Sequence, residues 1–246
     1  MELNGFFASC GRAGLGFSGG VDSAYLLYAA AKSGADIRPY YVKTQFQPQF
    51  ELDDALRLCD ELNIKLTVIP LDILDEAIAV NPADRCYHCK KRIFSAICRQ
   101  AELDGCSVVI DGTNASDDVS DRPGIRALGE LSVRSPLREC GITKPQLRQL
   151  SREVGLFTWD KPAYACLATR IPAGEEITQD KLCRIEKAEN ELFAMGFSDF
   201  RVRTKNGSAL LQFKTEQLDT AKAHFDEIKH RLSPYYTDIT TDPKGR

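Results

Sequence analysis

An α/β protein, with a parallel sheet carrying helices on both faces and a small C-terminal α+β domain behind it, is the fold class that this sequence predicts. Three observations lead there. Short apolar runs take turns with segments whose apolar residues recur at spacings of three and four, which is strand alternating with helix. A glycine-rich stretch, "GFSGG", feeds directly into one of the helical segments. After residue 160 the pattern changes, becoming proline-punctuated in "KPAYACLATRIPAGEEIT" and then a hairpin set between helices. The expected domains are residues 1–160 and 161–246.

The elements follow in order. "VDSAYLLYAAAKSG" is a helix closed by Gly34 as its C-terminal cap. "DIRPYYVKT" is a strand rich in aromatic and branched residues, "FELDDALRLCDELN" a helix, "IKLTVIPL" an alternating strand. "CKKRIFSAICRQAELDG" is helical and "SVVIDGTN" a short strand of the buried type. "TKPQLRQLSREV" is an amphipathic helix with Thr143 as N-cap and Pro145 in its first turn. Beyond the proline-punctuated stretch come a helix over 178–195, strands "FRVRT" and "ALLQFK" around "KNGS", and a helix over 215–232.

Composition excludes several classes. With 43% hydrophobic and 27% charged residues in 246, the chain is an ordinary globular protein rather than a fibrous or disordered one. A net charge of −3 gives no general reason for nucleic-acid binding. No apolar run approaches the roughly 20 residues that cross a bilayer, and "MELNGFFASCGRAG" lacks the pattern of a secretory signal. A cytoplasmic location without membrane contact is expected.

Ligands of such sheets bind at the carboxyl ends of the strands, which gathers three segments on one rim: the loop at Ser18, the chain near Thr44, and residues 111–114. At the loop, Gly19 and Gly20 admit an anion close to the backbone, and the helix beginning near Asp22 points its free N–H groups and positive dipole end at it. Ser18 and Ser23 add hydroxyl donors. No Lys-Ser or Lys-Thr follows at Walker spacing, so this is another kind of phosphate loop.

Nine cysteines are an odd number, so they cannot all pair internally. Cys59, Cys98, Cys106, Cys140 and Cys183 lie in or beside helix and strand patterns as small hydrophobes, and Cys10 is uninformative. Cys86 and Cys89 differ: "DRCYHCKKRIF" sets them at a helix start beside Lys90, Lys91 and Arg92, where dipole and cations favour thiolates. Such a pair alone fits a redox disulfide, half a zinc site or part of an iron–sulfur site. The second close pair of a four-cysteine zinc site is absent from the sequence. His88 reads as solvent-facing, and His224 and His230 lie on an amphipathic helix.

The run Ser18-Gly19-Gly20-Val21-Asp22-Ser23 resembles the PP-loop of the ATP pyrophosphatases. The resemblance implies an adenine nucleotide α-hydrolase-like fold, ATP on the loop, adenylation of a substrate oxygen and release of pyrophosphate. "SGGVDS", "RCYHCK", "DGTNASDD", "WDKPAYACLATRIP" and "RVR", spread over about residues 14–214, together resemble the LarE family, the ATP-dependent sulfur transferases of nickel-pincer nucleotide biosynthesis. The tail "YYTDITTDPKGR" matches that pattern only loosely.

The LarE resemblance implies pyridinium-3,5-biscarboxylic acid mononucleotide as substrate and a thiocarboxylate as product. It gives Cys166 the role of attacking cysteine. Members with cysteines at the positions of Cys86, Cys89 and Cys166 resemble cluster-dependent thiolation enzymes, so a 4Fe-4S cluster on three thiolates and an external sulfide or sulfur donor are expected. A version in which Cys166 gives up its own sulfur is the alternative. The resemblance makes Arg201 and Arg203 substrate contacts and Glu189 an active-site acid, and Arg170 is a further candidate anion contact. Asp111, Gly112, Thr113 and Asn114 fit a loop near the phosphates and Mg²⁺, Lys43 is a nucleotide contact, and Lys144 and Arg122 are candidate phosphate partners. A homo-oligomer is expected. Two other classes stay open: a PP-loop tRNA thiolation enzyme, and a non-catalytic nucleotide sensor in which Cys86 and Cys89 form a redox switch.

Overall fold

The computed structural model describes residues 2–118 and 123–246, so Arg122 lies outside the described residues. The chain divides into two compact units, Met1–Ile73 with Asp84–Lys161, and Leu74–Ala83 with Pro162–Arg246.

In chain order the first unit holds α1 (Leu3–Ser9), β1 (Ala13–Gly16), α2 (Val21–Lys32), β2 (Ile37–Lys43), α3 (Gln49–Glu61) and β3 (Thr67–Pro70). The chain then forms the short α4 (Glu76–Ala79) of the second unit and returns. The first unit continues with α5 (Arg85–Leu103), β4 (Val108–Ile110), α6 (Pro123–Glu130), α7 (Pro136–Glu139) and α8 (Lys144–Glu153). Its four strands run in the order β3-β2-β1-β4, all parallel, with Ala13 opposite both Ile37 and Val108. Such strands are covered on both faces, so Leu15, Tyr40, Tyr41 and Ile110 are all buried.

The order of the strands fixes where a ligand can enter. From β1 the chain steps outward to β2 and β3, then returns to lay β4 on the other side of β1. The crevice at the carboxyl ends of β1 and β4 is therefore the switch point of the sheet. Local signals close the helices as their chemistry dictates. Gly34 follows α2 with φ +72°, and the Thr143 amide donates to Gln146 Oε1 (2.9 Å) at the start of α8.

The second unit, after α4, holds α9 (Gln179–Ala194), β5 (Arg201–Lys205), β6 (Ser208–Gln212), α10 (Leu218–Ala223), α11 (Phe225–Leu232) and β7 (Ile239–Thr241). β5 and β6 form an antiparallel hairpin whose two turn residues, Asn206 and Gly207, both have positive φ, and β7 joins β6 in parallel. Phe197, Phe200, Phe213, Leu192, Val202 and Ile228 centre its core. Asn81, only 1% exposed, ties the short early segment in by donating to Pro172 O (2.7 Å) and Glu175 O (3.2 Å).

Three details differ from the sequence reading. The helix expected over 215–232 is a 3₁₀ turn followed by α10 and α11, broken at His224. Leu218, Ala221, Ile228 and Leu232 keep helical spacing across that break, which hides it from periodicity. The alternating segment before residue 71 is strand only over β3, and α1, α4, α6, α7 and β7 were not foreseen. Among the described residues no helix is long and apolar enough to cross a membrane.

Candidate active site

The loop between β1 and α2 is held by its own serines. Ser23 Oγ accepts from the Ser18 amide (3.3 Å), lies 3.1 Å from Ser18 Oγ and donates to Gly20 O (3.2 Å). Gly19 has φ +70°, and a Cβ there would meet Glu51 O at 3.1 Å and Ala55 at 3.3 Å, so only glycine fits. The amides of Val21, Asp22 and Ser23 open α2 and have no acceptor within the helix. They form an anion-binding edge.

Chain after β4 closes on this loop from the other side. Gly112 lies so close that a Cβ would stand 3.0 Å from the Ser23 amide nitrogen. Asn114 Nδ2 donates to Asp22 Oδ1 (3.1 Å), and Lys144 Nζ at the start of α8 donates to Asp22 Oδ2 (2.5 Å). Asp111, 5% exposed, accepts from Ser135 Oγ (2.7 Å), Thr113 Oγ1 (2.5 Å) and the Thr113 amide (3.2 Å). Ser18, Asp22, Ser23, Gly112, Asn114 and Lys144 are thus brought together, with one carboxylate, that of Asp22, among uncharged donors and one lysine. Lys43 is not joined to them, because its ammonium donates to Gln47 O (2.5 Å).

Cys86 and Cys89 lie in the opening turns of α5, three residues apart and so on one helical face, with Cys86 exposed and Cys89 half-buried. Lys91, expected to favour their thiolates, is tied to Glu130 (2.7 Å) and Tyr87 (3.0 Å), and Arg92 donates to Asp72 O (3.1 Å). By contrast, burial pushes the thiols of Cys59, Cys98 and Cys140 up, Cys59 to about 12, as small hydrophobes require.

Cys166 belongs to the second unit, where it precedes the 3₁₀ turn Leu167–Arg170. The Arg170 guanidinium, 1% exposed, donates to Ala165 O (2.6 Å) and Cys166 O (3.4 Å), and pairs with Glu189 through Nε–Oε1 (2.8 Å) and Nη2–Oε2 (3.1 Å). Glu189 also accepts from Tyr164 Oη and the Val202 amide (3.0 Å). Burial works against the Arg170 charge, yet the hydrogen bonds and charge of Glu189 outweigh it and hold the guanidinium above its usual range. Glu189 is therefore the acceptor that fixes the chain around Cys166.

Arg201 and Arg203 share one face of β5, with Val202 and Thr204 buried on the other. Arg203 donates to Gln212 and to Thr169 O (3.2 Å). Arg201 has no carboxylate partner among the described residues. Burial first, then repulsion from Arg246, Arg170 and Arg203, lowers its pKa, so a cation is held among cations. An anion would relieve it.

Among the described residues no three His, Cys, Asp or Glu side chains form a metal-binding group. The three candidate thiols are divided between the units, two in the first and one in the second. Ser135, Tyr164, Asp54 and Lys161 escaped the sequence reading as site-forming residues. For Lys161 the one available signal was its place in "WDKP".

No family model matches the chain. It is 37% identical over 221 residues to an uncharacterized protein of a Synechocystis species, covering 88% of this chain and 82% of that one. It is 31% identical over 238 residues to the pyridinium-3,5-bisthiocarboxylic acid mononucleotide synthase of Lactiplantibacillus plantarum, covering 95% of this chain and 86% of that protein. To a tRNA-specific 2-thiouridylase of Shewanella halifaxensis it is 26% identical over 185 residues, 60% of this chain and 49% of the other.

Proposed function

The chain belongs to the LarE family of pyridinium-3,5-bisthiocarboxylic acid mononucleotide synthases, and from that premise we propose that it adenylates a carboxylate of pyridinium-3,5-biscarboxylic acid mononucleotide and converts it to a thiocarboxylate. It is an enzyme of the PP-loop sulfurtransferase type in nickel-pincer cofactor biosynthesis. The observation that carries the finer reading is the convergence of Asn114 and Lys144 on Asp22, at a loop whose amides face outward from α2.

A carboxylate oxygen leaves poorly, so it must first carry AMP. The substrate oxygen attacks the α-phosphorus of ATP, the α–β bond breaks and pyrophosphate leaves. Ser18, Gly19, Gly20, Val21, Asp22 and Ser23 bind the phosphates, flanked by Gly112, Thr113 and Asn114, with Lys43 as a further nucleotide contact. Asp22 and Asp111 suit Mg²⁺, which takes only one or two protein carboxylates beside phosphate oxygens. A sulfur nucleophile then attacks the acyl carbon, and AMP departs with the oxygen. Residues 1–160 handle ATP in this reading, and residues 161–246 the substrate and the sulfur.

In the second unit Arg201 and Arg203 take anionic groups of the substrate, and Arg170 and Glu189 hold the chain at Cys166 in position. Cys86, Cys89 and Cys166 would supply three thiolates to a 4Fe-4S cluster. Two thiols three apart on one helical face suit the Cys-x-x-Cys part of such a site. When bound, the cluster offers an iron without a protein ligand on which an external sulfide can be carried.

The test is pyrophosphate release on addition of ATP and the pyridinium dicarboxylate nucleotide. Asp22→Ala should abolish release with the fold intact, and release of ADP and phosphate would overturn the assignment. Iron and sulfide analysis of anaerobically purified protein should give about four irons per chain by this ligation. Metal-free protein that thiolates one equivalent of substrate while Cys166 loses the mass of its sulfur would establish the sacrificial mechanism instead.

A further inference from the structure

Lys161 is the last residue of the first unit and lies five residues before Cys166. Its ammonium, on a side chain only 15% exposed, bridges Asp54 Oδ2 (2.6 Å) and Gly19 O of the phosphate loop (3.4 Å). The main chain beneath it is tightly tied. Arg148 forks onto Trp159 O (2.7 Å) and Lys161 O (2.9 Å), and the Lys161 amide donates to Thr158 O (3.1 Å). The two residues that follow are not: Pro162 and Ala163 are exposed, and neither makes a hydrogen bond among the described residues, so they form the loose link to the stretch from Tyr164 on that Glu189 and Arg170 hold.

Two physical points link these facts. A lysine ammonium is a compact charge on a flexible stem, able to change partners without moving its backbone far. Asp54, its present partner, is 31% exposed and brings a single negative charge, whereas a triphosphate on the loop brings several. A residue before proline is also restricted to extended conformations, so adjustment at Lys161 passes into the strap instead of being absorbed in a turn.

We propose that Lys161 is a positioning residue that couples occupancy of the phosphate loop to the strap of residues 162–166, its ammonium passing from Asp54 to the triphosphate when ATP binds. The inference rests on the reading of the loop as an ATP site. It adds that the segment leading to Cys166 is ordered by the nucleotide and not by the sulfur acceptor alone.

Amide hydrogen exchange with and without the α,β-methylene analogue of ATP and Mg²⁺ tests it. In the wild-type protein the analogue should slow exchange at least fivefold both at residues 18–24 and at residues 162–170. Lys161→Met should keep the slowing at the loop and lose it at the strap, and Lys161→Arg should keep both. Equal slowing of the strap in Lys161→Met, or slowing of the wild-type loop alone, overturns the coupling and leaves the ATP site standing. No slowing at the wild-type loop overturns both. Should Lys161→Met fail to fold, Asp54→Asn decides. Removing the competing carboxylate should raise analogue affinity several-fold, and unchanged or weaker affinity overturns the exchange of partners.

Discussion

Two ion pairs, one in each unit, show how differently the same chemistry can be used. Asp22–Lys144 at the phosphate loop keeps 25% and 30% of its side chains exposed, while Arg170–Glu189 beside Cys166 keeps 1% of each. A pair still in touch with water is worth about 0–1 kcal/mol and can exchange partners cheaply. A buried pair that loses one member leaves a stranded charge at a cost of about 3–5 kcal/mol. The loop pair is thus suited to yield to an incoming ligand, and the buried pair to hold a main chain still.

The largest effect should come from breaking the buried pair. Arg170→Met should destabilise the protein by about 3–5 kcal/mol in chemical denaturation, because it leaves the Glu189 carboxylate buried without its cation. A loss below about 1 kcal/mol would make the two pairs alike. Next comes Arg201→Ala, which should weaken binding of the pyridinium nucleotide by about 1.5 to 3 kcal/mol, roughly ten- to hundredfold, at nearly unchanged stability. Arg203→Ala should weaken binding too, but also lower stability, since Arg203 carries hydrogen bonds to Gln212 and Thr169. Calorimetry with the substrate, run beside denaturation, separates the two arginines.

A titration compares the units in another way. Burial raises Cys59 in the first unit from 9.0 to about 12 and Tyr236 in the second from 10.0 to about 12. Both groups are neutral when protonated. Below the lower value folded and unfolded states hold the proton alike, and the full stability is present. Above it the unfolded chain ionises first, so each group should remove about 1.4 kcal/mol per pH unit until its folded pKa is reached. Cys59→Ala should flatten the decline that starts near pH 9, whereas Tyr236→Phe should flatten only the part above pH 10. The smallest effect belongs to Lys144→Met, at most about 1 kcal/mol on stability, with a clear loss of ATP affinity. A large loss of stability there would give the loop pair a structural role.

How much of this was legible in the sequence depended on the range of the interaction. The Gly34 cap, the Thr143 cap and the run of β4 are local, and propensity and periodicity report them. The fold class followed from strand–helix alternation, and the LarE motifs identified the family. Partnerships across long sequence separation were not legible: Lys144 meets Asp22 across 122 residues, and Tyr164 meets Glu189 across 25. No pattern in either segment encodes its partner. The break at His224 was hidden because the apolar spacing continues through it. Arg170 and Glu189 were expected to face ligands, and nothing in their local sequence signals that both are buried against each other.

The short early segment of the second unit has a consequence for synthesis. Residues 74–83 emerge from the ribosome well before the chain they pack with, and Asn81 must wait for residues 172–175 before its side-chain amide finds its acceptors. Contacts of such separation form late, after the entropy of a long loop has been lost. The strands and helices of the first unit must therefore assemble around a protruding, unfinished loop. Release of residues 162–246 is then the step that completes the second unit, and a fragment ending at residue 161 would keep that loop with Asn81 lacking its acceptors.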